Sequence, residues 1–350
     1  MRPLYISPQG RGGVDIGIQN ILRSVRRYGA PQAELLQLPE VYNFAPALIP
    51  HGLPAGWWRN FDVIQGRSRV AFALRAPGRP LVTTVHHLTT DPALQPYSSP
   101  AQRLFYRLVE SRYDGWSIRA ADAVVCVSRY TQRQVEQTYG QRDTVLVFDG
   151  IDTDVFVPTP GFARSDQGLP VWGGRETCRH IRLLFIGNNT RRKGFDLLPK
   201  IMDRLPEEYV LFYNVGFQKA GGTSPHPRMF PIGVPDRAGL VAAYQSCDIL
   251  LFPSRLEGFG IAPAEALACG RPVVTTDASA LPEVVDHGQN GYLVARNDLA
   301  GYAAAVQQLG EDAALRRQFG EHGREKVARS FGYDQLAGGL LAVYKRLLER

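Results

Sequence analysis

The sequence predicts an α/β protein of two domains, each a parallel sheet wrapped by helices, and three observations carry that expectation. With 350 residues, 44% apolar content and 35 glycines, the chain exceeds one ordinary core. Short β-branched runs alternate with helical patterns, which is the order of a parallel sheet covered by crossover helices. The alternation stops at residues 157–180, "VPTPGFARSDQGLPVWGGRETCRH", whose three prolines and four glycines show no periodicity and read as an interdomain segment.

In the first half, "RPLYIS" is strand-like. After the loop "PQGRGG", the stretch 14–28 places Ile18, Ile21, Leu22 and Val25 at helical spacing and stops at Gly29. Strands are expected at "PLVTTVHH" (80–87), "DAVVCVS" (122–128) and "TVLVFDG" (144–150), with helices over 99–120 and 129–139. The second half resumes with "IRLLFIG" (181–187), a helix over 194–205, "YVLFYNVG", a helix over 236–246 and "DILLFPS", and from 298 to 350 it is nearly all helical. An internal echo links the halves: "ADAVVCVSR" and "CDILLFPSR" are both apolar strands emerging at Ser-Arg. Ligands of open α/β sheets bind beyond the carboxyl ends of strands, so two such edges facing each other would define a cleft.

Composition narrows the partners. A net charge of +7 is compatible with a nucleic acid, an anionic membrane or an anionic small molecule. The charge is dispersed, with Arg supplying 35 of 40 basic residues and no basic block of five, so nucleic acid is not indicated. No apolar run approaches the ~18 residues of a membrane span, and the start "MRPLYISPQGRGG" lacks a secretory apolar region, so the chain reads as cytoplasmic. Cys126, Cys178, Cys247 and Cys269 show no CxxC spacing and indicate neither a metal site nor a disulfide framework.

The stretch "SRLEGFGIAPAEALACGRPVV" (254–274) carries the chemistry. Pro263 suits the first helical position, which makes Ala262 the expected N-cap, and an alanine cap leaves the first-turn amides unsatisfied. Bare amides behind a flexible "EGFG" loop form an anion site, with phosphate the natural occupant. On this register Glu265 falls in the first turn and Glu257 lies off the helix. A carboxylate ~8 Å from a phosphate costs roughly 2 kcal/mol at an effective dielectric near 20. Both acids are therefore suited to accept hydrogen bonds from sugar hydroxyls. The plainer alternative, Glu265 complementing the helix dipole and Glu257 solvated, stays open on spacing alone.

This segment resembles the E-x7-E signature of retaining glycosyltransferases with two Rossmann-like domains facing across a cleft (the GT-B fold), specifically glycosyltransferase family 4, group 1. That family includes mannosyl- and glucosyltransferases of glycolipid, lipopolysaccharide and polysaccharide synthesis. Further segments agree in order: Gly12 and Gly13, "VTTVHH", "VCVSRYTQ", "VFDGIDTDVF", "LLFIGNNTRRKGFDLL", "AYQSCDILLFPS", "EVVDHGQNGYLV" and the closing "SFGYDQLAGGLLAVYKRLL". Residues 30–75 match poorly.

The resemblance implies an acceptor-side domain over 1–160, a linker over 161–180, a nucleotide-sugar domain over 181–331 and a final helix, 332–350, returning to the first domain. It implies that Glu257 contacts the donor sugar, that Glu265 holds the ribose diol, and that the amides of Gly258, Phe259, Gly260 and Ile261 meet sugar and diphosphate. Lys193 would neutralise the leaving diphosphate, a unit charge at ~4 Å contributing roughly 4 kcal/mol. The arginine usual before this lysine reads Asn188 here, so Arg192 or Arg191 would have to stand in. His86 aligns with the family's active-site histidine, with His87 as the alternative, Gly13 permits close backbone approach, and Asp15 is a candidate to orient an acceptor hydroxyl. "DTD" (152–154) imitates a metal motif but lies in the segment preceding the linker, so neither a metal nor another cofactor is expected. The first loop also lacks the GxGxxG fingerprint of a nicotinamide enzyme.

The implied reaction moves a hexose from a nucleoside diphosphate sugar to a glycan or lipid-linked acceptor hydroxyl, with retention by front-face attack. Two alternatives share the fold, a sugar-nucleotide epimerase or hydrolase and a non-catalytic nucleotide-sugar binder. Helices 14–28 and 99–120 are basic and amphipathic, compatible with peripheral contact at the inner face of the membrane or, more plainly, with packing on the sheet.

Overall fold

In the computed structural model the described residues are 1–9, 13–141, 143–164, 180–214 and 224–350, with the side chains of 13–15 outside the description. The chain divides into two compact units, Met1–Asp152 with Phe331–Arg350, and Thr153–Ser330.

The first unit holds six strands: β1 (Pro3–Pro8), β2 (Glu34–Leu38), β3 (Val63–Arg67), β4 (Leu81–Val85), β5 (Ala123–Cys126) and β6 (Thr144–Leu146). They form one all-parallel sheet in the order β2-β1-β3-β4-β5-β6. β1, β4 and β5 are buried along their whole length, as expected of strands covered on both faces. One face packs on the helices Gly13–Tyr28 and Tyr333–Leu348 through Ile21, Leu22, Val25, Leu336, Leu340 and Tyr344. The Tyr344 hydroxyl meets that of Tyr5 at 2.6 Å inside this core.

The second unit holds β7 (Ile181–Phe185), β8 (Tyr209–Tyr213), β9 (Met229–Pro231), β10 (Ile249–Phe252), β11 (Val273–Thr276) and β12 (Gly291–Val294). Its order, β12-β11-β10-β7-β8-β9, is again parallel throughout. From β7 the chain works outward through β8 and β9, then returns to place β10 on the other side of β7. That reversal of strand order opens a crevice beyond the carboxyl ends of β7 and β10, the place where open α/β sheets bind ligands.

Several expectations change. β2 and β3 occupy residues 30–75, where no element was expected, because "ELLQL" has no β-branched residue and β3 is interrupted by Gly66. The helix expected over 99–120 is Pro100–Phe105 and Ser111–Ala120 joined by a π turn, Tyr106–Glu110. The one over 194–205 shrinks to a 3₁₀ turn at Phe195–Leu197 and a helix at Leu198–Met202, with Gly194 left-handed at φ 76° before it. The first unit gives way to the second at Thr153 rather than at 160, because Arg271 donates to Thr159, Phe162 and Ala163 and ties that stretch to the second unit. Of the expected linker, 165–179 lies outside the described residues, and so does Cys178. The internal echo is not a structural repeat. β10 adjoins the first strand of its sheet, whereas β5 lies three places from β1. Ser128 caps a helix by accepting from the Thr131 amide, while Ser254 Oγ donates to Glu257.

Candidate active site

β10 is apolar on both faces and ends at Pro253, and the loop that follows is anchored by Leu256 and Phe259, each 2% exposed. The helix Ile261–Ala268 begins earlier than expected. Its N-cap is Gly260 at φ 115°, not Ala262. Glycine alone tolerates that backbone conformation readily, and Pro263 then sits third in the helix, where its missing N–H is still one of the orphans. The cap side chain offers no hydrogen bond, as expected. The amides of Gly258, Gly260, Ile261 and Ala262 have no partner among the described residues.

Beyond β7, the loop carrying Lys193 is strapped to the loop beyond β10. Arg255, 4% exposed, grips Asp196 with both guanidinium ends at 2.6 and 3.0 Å, donates to the Arg191 carbonyl and reaches Asn297 at 2.7 Å. Arg192 Nη1 donates to the Leu256 carbonyl at 2.7 Å, and the Arg192 carbonyl accepts from the Arg255 amide at 2.9 Å. A Cβ on Gly194 would lie 2.1 Å from the Pro253 carbonyl oxygen, so the two loops could not approach this closely with any other residue there.

This strap brings Lys193 Nζ to 2.6 Å from Glu257 Oε1, above the Phe252 ring at 5.3 Å from its centroid. Ser254 Oγ donates to the same carboxylate at 2.5 Å, and the Glu257 amide donates to Ser279 Oγ at 2.9 Å. Burial pushes the Glu257 pKa up, but Lys193, Arg192 and the hydrogen bonds from Lys193 and Ser254 outweigh it and hold the carboxyl below its ordinary range. Burial lowers the Lys193 pKa, with the Arg192 charge adding to that effect and Glu257 opposing it.

Glu265 differs from expectation. The earlier helix start moves it to the second turn, and its Oε2 accepts from the Tyr244 hydroxyl at 3.0 Å. Burial dominates there, lifting the pKa to about 7 against the opposing Tyr244 hydrogen bond and Arg237 charge.

In the first unit, His86 directly follows β4 and is 9% exposed, whereas His87 is exposed. His86 Nδ1 faces Asp149 Oδ2 at 3.6 Å, and Nε2 is buried without a partner among the described residues. Gly17 makes room for the ring, since a Cβ there would lie 3.0 Å from His86 Cε1. Gly13 opens the first helix, and the Asp15 side chain lies outside the description. Of the "DTD" acids, Asp152 accepts from Arg27 at 3.1 Å.

The structure thus brings together Lys193, Arg192, Glu257 and the loop over 258–261. Sequence reasoning noted Ser254 and Arg255 only as part of an internal echo and missed Asp196, Tyr244 and Asp149. Two signals were available: an arginine directly after a strand-end serine, and an isolated glycine at position 17 inside an amphipathic helix, which needs a packing reason.

Two parallel six-stranded sheets with a donor-rich loop at the second sheet's reversal point define a glycosyltransferase of the GT-B fold. Residues 5–155 match the family described as Glycosyltransferase Family 4 and residues 180–312 the one described as Glycosyl transferases group 1. The chain belongs to glycosyltransferase family 4, group 1. It is 30% identical to the alpha-maltose-1-phosphate synthase of Mycolicibacterium smegmatis over 77% of this chain and 74% of that protein. It is 27% identical to the lipopolysaccharide core biosynthesis mannosyltransferase LpcC of Rhizobium leguminosarum bv. viciae over 86% of each. Other relatives are longer: the chain spans 59% of a D-inositol 3-phosphate glycosyltransferase from Xylanimonas cellulosilytica, with 31% identity over 67% of this chain. Among solved structures, sucrose-phosphate synthase from Thermosynechococcus elongatus superposes with a TM-score of 0.82 at 21% identity, covering 100% of this chain and 99% of that one. Anabaena Alr3699/HepE, solved with UDP and glucose, gives 0.75 at 17% identity with 99% of each covered.

Proposed function

We propose that this protein transfers a hexose from a nucleoside diphosphate sugar to a hydroxyl of a glycan or lipid-linked acceptor, retaining the anomeric configuration. The single observation behind this reading is the Lys193–Glu257 pair beside four main-chain amides that have no partner among the described residues. A diphosphate drawn to those amides would also attract Lys193, and Glu257 would then accept from sugar hydroxyls instead. The HepE structure with UDP and glucose supports a nucleoside diphosphate donor. The relatives named for lipopolysaccharide and for inositol 3-phosphate support a hydroxyl acceptor.

In the proposed step the acceptor oxygen attacks the anomeric carbon on the face from which the diphosphate departs. The bond from that carbon to the phosphate oxygen breaks, its electron pair leaves with the diphosphate, and the acceptor proton passes to the departing oxygen. Lys193 and the amides stabilise the charge that develops there, and Arg192 takes the place of the arginine missing at Asn188. Asp149 favours the proton on Nδ1 of His86, which leaves Nε2 to accept from a sugar hydroxyl. With Lys193 and Arg192 at the phosphates, the reading calls for no divalent cation or other cofactor.

The reading includes peripheral contact with an anionic bilayer. Arg103, Leu104, Arg107, Leu108, Arg112, Trp116 and Arg119 are exposed together along residues 103–119, and both acids of that stretch, Glu110 and Asp114, are buried. Among the described residues no helix is long and apolar enough to cross a membrane.

The test is to supply UDP-, GDP- and ADP-hexoses with a hydroxyl acceptor and follow the product by NMR in excess chelator. An α-linked product from an α-linked donor is expected. An inverted product, release of free sugar or an epimer, or binding without turnover against any acceptor would reject the reading in favour of an inverting enzyme, a hydrolase or epimerase, or a binding protein.

A further inference from the structure

We infer that Ser279 is a positioning residue for Glu257: a serine kept in a left-handed backbone conformation, whose hydroxyl holds the main chain of that glutamate from the loop beyond β11. The inference rests on the glycosyl-transfer reading above and adds a residue to its site.

β10 and β11 are parallel neighbours, so the loops leaving their carboxyl ends adjoin. Ser279 Oγ accepts from the Glu257 amide at 2.9 Å and donates to the Ala278 carbonyl at 2.7 Å. The next residue completes the grip, since the Ala280 amide donates to the Glu257 carbonyl at 3.4 Å. Both main-chain polar groups of Glu257 are thus held by two consecutive residues of one loop, while its carboxylate is held separately by Lys193 and Ser254. That loop is itself pinned. The Asp277 amide donates to the Val294 carbonyl at 2.7 Å, the Ala278 amide to the Thr276 carbonyl at 2.9 Å and the Leu281 amide to the Ala278 carbonyl at 3.2 Å.

Ser279 has φ 53°, a region that glycine enters freely and that crowds the Cβ of any other residue. Among the described residues three that are not glycine have positive φ, Phe162, Ser279 and Asn297. Two of these three hydrogen-bond to residues 255–257, because Asn297 Oδ1 accepts from Arg255 Nε at 2.7 Å. Asparagine is among the side chains that tolerate this region best, whereas serine is not. Such strain persists where the surroundings over-determine it, and it gathers at sites that must be preorganised. Glycine at 279 would relieve the strain but leave the Glu257 amide without its acceptor. The hydroxyl is therefore the property that sets this position apart from a simple turn.

The hydrogen bond also marks where the open amides begin. The amide of Glu257 is engaged, and those of Gly258, Gly260, Ile261 and Ala262 have no partner among the described residues. Loosening the chain at 257 would shift the carboxylate against the sugar while leaving the diphosphate donors in place. Misplacing a group beside the reacting centre costs turnover more than it costs nucleotide binding.

The test compares Ser279→Gly with Ser279→Ala in the full chain. Glycine removes strain and hydroxyl together, and alanine removes the hydroxyl but keeps the strain. Both variants are expected to lose about three- to tenfold in kcat with UDP- or GDP-hexoses, the range of one hydrogen bond, with calorimetric affinity for UDP or GDP at the wild-type value. Their thermal midpoints should differ, staying near wild type for glycine and falling about 2–4 °C for alanine. Turnover that follows stability instead, intact with glycine and reduced with alanine, would make Ser279 a purely structural residue and overturn the inference. A fall in nucleotide affinity equal to the fall in kcat would overturn it too. Residue-resolved amide hydrogen exchange examines the clamp without the reaction: the Glu257 amide should exchange about three- to tenfold faster in Ser279→Gly at equal global stability. Unchanged exchange removes the clamp even if the protein proves to be a transferase. Faster exchange in a protein whose wild type transfers no hexose would instead sink the transferase reading, and the positioning role with it, while the hydrogen bond stood.

Discussion

Near neutral pH the Glu265 carboxyl is balanced between its two protonation states, because burial lifts its pKa from 4.5 to about 7. Tyr244, Arg237 and Cys269 are the titratable or charged groups that act on it or feel its charge. The folded chain holds this proton more tightly than the unfolded one. The contribution to stability is therefore full below pH 4.5 and is lost as the pH rises through about 7. Glu265→Gln should flatten the decline in stability between pH 5 and pH 8 by up to about 3 kcal/mol, measured by denaturant unfolding across that range. Ribose hydroxyls donate best to the ionised carboxylate, so affinity for a nucleoside diphosphate sugar should rise through pH 7 in wild type. Glu265→Ala should weaken that affinity by about 1.5–3 kcal/mol, and unchanged calorimetric affinity would remove the ribose role. Lys193→Ala leaves Glu257 buried without its cation. Turnover is expected to drop about 10²–10³-fold, the cost of losing one preorganised charge donor.

The second sheet's site is built by elements more than by residues in isolation. The helix Ile261–Ala268 is buried from Pro263 onward, which its small side chains permit, and its orphan amides face the loop because Gly260 turns the chain at φ 115°. A Cβ at Gly260 would also lie 3.2 Å from Leu281. Gly260→Ala is therefore expected to cost about 1–3 kcal/mol in unfolding free energy and to raise the KM for donor. An unaltered KM would mean that the amides are not aimed by this turn. Arg255 works at the same scale, since its fork on Asp196 holds the β7 loop against the β10 loop. The sequence made the E-x7-E pair visible but placed the helix start two residues late. A proline suits any of the first positions of a helix, and only the glycine's backbone angle decides among them.

For the molecule as a whole, the C-terminal helix Tyr333–Leu348 belongs to the first unit although it follows the second in sequence. It buries Tyr333, Leu336, Ala337, Leu340, Val343, Tyr344 and Leu347. Burying large apolar side chains contributes about 1.5–3 kcal/mol each, so their combined loss would rival the ~5–15 kcal/mol stability of a typical domain. Truncation after Ser330 is expected to abolish cooperative unfolding of the first unit in calorimetry, whereas Leu340→Ala should cost about 2–5 kcal/mol and leave it folded. A truncated chain that keeps every transition would show that the helix is dispensable to that core.

Local pattern alone determined that this chain forms parallel sheets with crossover helices, where the tail becomes helical, and which loop carries uncapped amides beside acids. Those properties repeat within a few residues, so they survive in the linear pattern. Partnership was decided only in three dimensions. Lys193 meets Glu257 from 64 positions away, Tyr244 reaches Glu265, and His86 faces Asp149 because strand order sets which loops adjoin. Strand order is a non-local property, fixed by which helices can pack on which face, and no run of neighbouring side chains records it.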